Sequence, residues 1–186
     1  MTLPRALTDP ASTGSWTLVP DRSSIKFSSK TLWGLVPVNG RFPDVTGEGT
    51  VGADGAVSGR LQIRAASVKT GIGKRDEHLC SPDFFDATNC PLITVEVNGL
   101  GADGALDATL RVRDTALPLP LTATVTPLGD GSMQVNARTQ VDRTRWGITG
   151  NTMGMIPATV TLIADAVFVK TLGATSKGSD QRELSG

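Results

Sequence analysis

Apolar and polar residues alternate with a period of two along most of the chain, the mark of strands with one buried and one solvated face. Ile25 and Phe27 share a face within Ser24–Ser28, and Val38, Gly40 and Phe42 continue the rhythm. Val45, Gly47, Gly49 and Val51 then oppose Thr46, Glu48 and Thr50. Val57, Gly59, Leu61, Ile63 and Ala65 oppose Ser58, Arg60, Gln62 and Arg64. The same parity groups Ile93, Val95 and Val97, then Leu106, Ala108, Leu110 and Val112. It also groups Met133, Val135, Ala137, Thr139 and Val141, and finally Ala158, Val160, Leu162, Ala164, Ala166 and Phe168. Asp54-Gly55 and Asp103-Gly104 are hairpin signals, and Gly129-Asp130-Gly131 marks another turn. Leu117 to Val125 alternates too, but Pro118 and Pro120 cannot donate ladder bonds, which predicts an edge or distorted strand.

One long stretch, Ala66 to Pro91, breaks the pattern. Lys74 to Leu79 predicts a short helix, which Ser81-Pro82 stops because the residue before proline is pushed out of the α region. Phe84 and Phe85 follow, an apolar pair on a loop that must find a buried place.

The expected fold is all-β, an antiparallel barrel or sandwich of roughly eight to ten strands with one short helix. The expected ordered domain spans 16–170, between a loose arm over 1–15 and a flexible tail over 171–186. Many inward candidates are small, among them Gly40, Gly47, Gly49, Gly59, Ala123, Ala137, Ala164 and Ala166. A closed barrel with that lining would leave unfilled space for a long apolar ligand, whereas a flattened sandwich would close it.

Composition removes several classes. The 18 basic and 18 acidic residues give a formal net charge of zero, so no basic surplus drives nucleic-acid binding. No apolar run is long enough for a membrane span. With 1 His and 2 Cys in no metal-ligand spacing, no metal site is expected, and no phosphate loop or dinucleotide fingerprint points to a cofactor. Met1 to Ser15 lacks a basic region followed by an apolar stretch, so the chain is expected to be cytoplasmic, with Cys80 and Cys90 as unpaired thiols.

The break also carries a resemblance. Ser67-Val68-x-Thr70, then Arg75-Asp76-x-His78-Leu79-x-Ser81-x-Asp83-Phe84-Phe85, then Pro91 before an apolar strand, resembles the signature of the YceI-like family. Asp142-Arg143-Thr144-x-Trp146-Gly147-Ile148 resembles a second, weaker motif of that family. Two positions depart from it: Cys80, where a basic residue is common, and Cys90, where an aromatic is common. The resemblance implies a lipocalin-like β-barrel of about eight strands that holds a polyisoprenoid or other long apolar molecule. It also implies a polar clasp of Arg75, Asp76 and His78 under the barrel.

On this reading the ligand is a polyprenyl lipid or quinone, carried or sequestered without chemistry. Its expected contacts are Phe27, Trp33, Phe42, Leu61, Ile63, Leu79, Phe84, Phe85, Trp146, Ile148, Met153, Met155 and Leu162. Lys74, Arg75, Arg143 and Arg145 would meet head-group oxygens at the mouth. The alternative is an enzyme that cyclises or isomerises a polyene or polyketide-like substrate in the same chamber, with His78 and Asp76 moving protons. A titratable side chain pointing into the cavity separates the two. A third reading, an interaction module without ligand, requires a filled barrel. Exposed strand edges would allow a homodimer.

Overall fold

The computed structural model describes residues 5–30, 37–150 and 156–172. Eleven strands are present: β1 (Gly14–Leu18), β2 (Ser24–Lys30), β3 (Pro37–Phe42), β4 (Val45–Val51), β5 (Val57–Arg64), β6 (Leu92–Leu100), β7 (Ala105–Val112), β8 (Thr115–Pro118), β9 (Leu121–Pro127), β10 (Met133–Asp142) and β11 (Thr159–Lys170). Among the described residues two short α-helices accompany them, α1 (Arg5–Thr8) before β1 and α2 (Gly73–Cys80) between β5 and β6. The helix expected over Lys74–Leu79 is α2, extended by one residue at each end.

The strands form a closed antiparallel barrel. β1, β4, β5, β6, β7, β9, β10 and β11 pair in that order, and β11 returns to β1, which makes a ring of eight. β11 achieves this by dividing the edge opposite β10 between two partners: Phe168–Lys170 pairs with β1, and Thr161–Asp165 pairs with β2. β2 then pairs with β3, which extends the wall above the ring. Closure pairs the ring strands with one another, while β3, at the end of the extension, has β2 as its strand partner and meets its other side through the single Arg41↔Lys69 bridge. The proline-containing segment is split as its sequence demands: β8 pairs with β7 up to Thr109↔Pro118, the chain is unpaired at Pro120, and β9 resumes against β10.

Register follows the alternation. Leu61 lies opposite Val95 and Ile63 opposite Ile93, all inward, while Arg60 and Glu96 pair outside with a 2.7 Å ion pair. Two inward glycines are not vacancies. A Cβ at Gly40 would stand 2.2 Å from the ring of Phe27, and one at Gly47 would stand 2.5 Å from Leu61 Cδ2. At both places a neighbouring side chain lies flat on the bare backbone. The small residues therefore admit large ones from the next strand and do not by themselves hollow the barrel.

The stretch expected as a loose arm contributes structure at one end. Leu7 on α1 is buried beside Trp16, Val51 and Met133. Trp16 Nε1 donates to the Ser12 carbonyl at 2.8 Å, and Lys170 Nζ donates to the Ala11 carbonyl at 2.8 Å. α2 lies at the opposite end. Residues 173–186, most of the expected tail, lie outside the described residues.

Gly40→Ala is expected to force Phe27 out of its position and cost about 1–3 kcal/mol, the range for overpacking a fitted site. Urea unfolding of the variant measures it.

Candidate functional site

The site is built from the loop that breaks the alternation. Gly71, with φ of 86°, turns the chain into α2, and Ser81 ends the helix by donating from Oγ to the His78 carbonyl at 2.7 Å. The next residues fold back on the helix terminus. The amide of Phe85 donates to the Leu79 carbonyl, and those of Phe84 and Asp86 donate to the Ser81 carbonyl, all at 2.9 to 3.0 Å. That web satisfies backbone groups which would otherwise be buried unpaired, and it turns both phenylalanines inward. Gly150 seats Phe84, since a Cβ there would come within 2.6 Å of its ring.

Inside lies an apolar cavity of about 390 Å³, beneath α2 and enclosed by the inward faces of the strands. Phe27, Phe42, Leu61, Ile63, Leu79, Phe84, Phe85, Trp146, Ile148 and Leu162, ten of the expected contacts, all line it. Trp33, Met153 and Met155 lie outside the described residues. The wall also includes Ile25, Ile93, Val95, Leu110, Val112, Leu119, Leu121, Val141 and Val160, which the contact list left out. Their inward parity is visible in the alternation. Phe27, Phe42 and Phe85 form an aromatic run along the wall, with successive centroids 5.7 and 5.6 Å apart. An interaction module with a filled barrel has no such cavity.

The polar clasp is differently composed from the one expected. Asp76 accepts from the Thr70 amide at 2.8 Å and from Thr70 Oγ1 at 2.6 Å. Arg75 donates from Nε to Thr70 Oγ1 and from a terminal nitrogen to the Thr70 carbonyl, both at 2.8 Å. Arg75 and Asp76 thus meet through Thr70, while the exposed His78 packs edge-on against Phe84 at 5.0 Å. Hydrogen bonds from Thr70 hold the Asp76 carboxyl below its usual 3.8, with Lys69 and Arg75 adding to the effect and partial burial opposing it.

Arg143, expected at the mouth, lines the cavity as a buried strut. The residue is 8% exposed, and its guanidinium donates to the carbonyls of Ile148, Ile156 and Pro157 and stands 6.0 Å over the Phe84 ring. Among the described residues it forms no ion pair, so carbonyl dipoles and the aromatic face carry its charge. Burial lowers its pKa, opposed by Asp142. The neighbouring Trp146 is 2% exposed and donates from Nε1 to the Leu110 carbonyl at 2.9 Å. Arg145 is exposed on the outer side of that ring, 5.9 Å from its centroid, and Lys74 is exposed on α2. Burial is the first cause that raises the pKa of both free thiols, Cys80 and Cys90. No cluster of three metal-ligating side chains occurs among the described residues.

Arg143→Ala leaves three carbonyls without their donor and is expected to cost about 2–4 kcal/mol; Arg143→Lys recovers only part, because an ammonium cannot span all three. Denaturant unfolding of both variants tests this. Because Asp76 has its pKa lowered by folding, its clasp to Thr70 is intact above the unfolded carboxylate's pKa. The clasp is lost as pH falls through the folded value. A carboxyl ¹³C NMR titration should place the Asp76 midpoint below 3.8. Asp76→Asn should speed exchange of the Thr70 amide.

Comparison with known proteins agrees with this architecture. BcnA of Burkholderia cenocepacia superposes with a TM-score of 0.72 at 18% identity, covering 81% of this chain and 98% of that one. A polyisoprenoid binding domain from Saccharophagus degradans gives 0.70 at 18%, covering 84% and 98%. The YCEI protein of Campylobacter jejuni gives 0.60 at 21%, covering 74% and 88%. No functionally curated protein matches the sequence. The family model of the YceI-like domain matches residues 16–168, from the first residues of β1 to near the end of β11, and this chain belongs to the YceI-like family.

Proposed function

We propose that this barrel binds a long apolar molecule of the isoprenoid class, a polyprenyl lipid or an isoprenoid quinone, and carries or sequesters it unchanged. The observation that carries this reading is the cavity: about 390 Å³, walled by aliphatic and aromatic side chains, in the size range of small-molecule sites. Such a wall recognises shape and apolar surface, at about 0.8 kcal/mol for each buried CH₂. The Saccharophagus domain, alike in fold, is named for binding polyisoprenoids, which supports the same class here.

Entry is at the α2 end. No residue of α2 is fully buried: its hydrogen bonds run to Thr70, and its apolar contact with the core is made by the half-buried Leu79 and Cys80, so it is the less deeply seated of the two end covers. Arg75 and His78 reach the cavity wall there, as do Lys26 and Lys30 of β2, and these are groups that could meet an oxygenated head. Proton-transfer chemistry has less to work with. Asp76 is absent from the wall and committed to Thr70, and the His78 ring faces Phe84. The two free thiols support a reducing, cytoplasmic setting.

The test is native mass spectrometry of protein purified from its own host, with solvent extraction and identification of what is released. One prenyl lipid or quinone per chain, recovered unchanged, is the expected result. Leu162→Arg, which places a charge on the wall, should abolish retention. Protein that comes empty and takes up neither prenyl alcohols nor quinones overturns the proposal. A transformed product that depends on His78 moves the assignment to the enzyme.

A further inference from the structure

The barrel interior has a second chamber. Below the main cavity lies a smaller apolar one of about 150 Å³, at the end closed by α1. Its floor is Leu7, Trp16, Val51 and Met133, each no more than 7% exposed. The floor is tied down by the bonds from Trp16 to the Ser12 carbonyl and from Lys170 to the Ala11 carbonyl.

Five residues line both chambers: Leu61, Val95, Leu121, Ala137 and Ala164. They form a waist. Leu61 and Val95 are cross-strand partners on β5 and β6, whereas Ala137 and Ala164 are partners on β10 and β11. Branched side chains thus narrow one side of the waist, while on the other the methyl groups of Ala137 and Ala164 stand beside Leu121 of β9.

We propose that the chambers together measure the ligand: a linear apolar chain enters past α2, passes the waist along Ala137 and Ala164, and stops on the Leu7 floor. An apolar cavity of about 150 Å³ holds roughly six carbons, the size of benzene. The lower chamber then takes about one isoprene unit and the upper about three, so roughly four units are enclosed. Any further length stays at the mouth in water and adds no burial. Affinity therefore climbs with each unit up to about the fourth and is level beyond it. This rests on the isoprenoid reading above, and the experiment separates the two.

The full-length protein is titrated with all-trans prenyl alcohols of two, three, four, six and eight units, delivered from cyclodextrin and read by native mass spectrometry. A plateau at about four units is expected. Ala137→Leu and Ala164→Leu thicken the open side of the waist. Each should lower the affinity for the four-unit alcohol relative to the three-unit alcohol by about tenfold or more. Leu7→Ala deepens the floor and should move the plateau to a longer chain, a second readout should a waist variant fail to fold. Affinity that keeps rising to eight units, or waist variants that weaken all lengths equally, overturns the length limit and leaves the ligand class standing. Failure of the wild-type protein to bind any of the alcohols overturns the ligand class itself.

Discussion

Everything inside this molecule depends on the closure made by β11. One strand pairs with β1 near its C-terminal end and with β2 nearer its start. Once the ring closes, each strand has a side that cannot reach water. The inward residues must then either fill the interior or surround a space, because a barrel cannot flatten to bring its walls together. Here they surround it. A sandwich, the other architecture consistent with the alternation, would have let the two faces approach and removed the cavity.

The two ends of the barrel are closed by different physics. At the α1 end, Leu7 and Trp16 bury apolar surface and are reinforced by bonds to backbone carbonyls. At the α2 end the cover carries no fully buried residue; half-buried Leu79 and Cys80 touch the core, and hydrogen bonds around Thr70 hold the helix start. Apolar burial is costly to reverse, whereas hydrogen bonds near the surface exchange readily with water. The molecule therefore has a floor and a mouth, although neither helix is long.

The strands and their facing were legible because a two-residue period survives any tertiary context that buries one side of a sheet. Pro118 and Pro120 located the interruption between β8 and β9 for a reason confined to their own backbone. α2 was legible from local stop signals. What sequence could not place were contacts that join distant segments. The pairing of β11 with two partners, the role of Arg143 as a strut and the packing of α1 depend on which surfaces meet, and alternation is silent on that. Glycines misled for a related reason. A small residue reads as empty space until its neighbour across the sheet is known, and Phe27 and Leu61 occupy the space that Gly40 and Gly47 leave.

The contact between Phe27 and Gly40 also bears on how this barrel can evolve. The two positions share one volume across a single strand pair, so neither is free to vary alone. A side chain at 40 is admissible only in a lineage whose residue 27 has first become smaller. The reverse order passes through a protein with an overfilled wall. Change at this part of the cavity is thus ordered in time, with residue 27 the first to move.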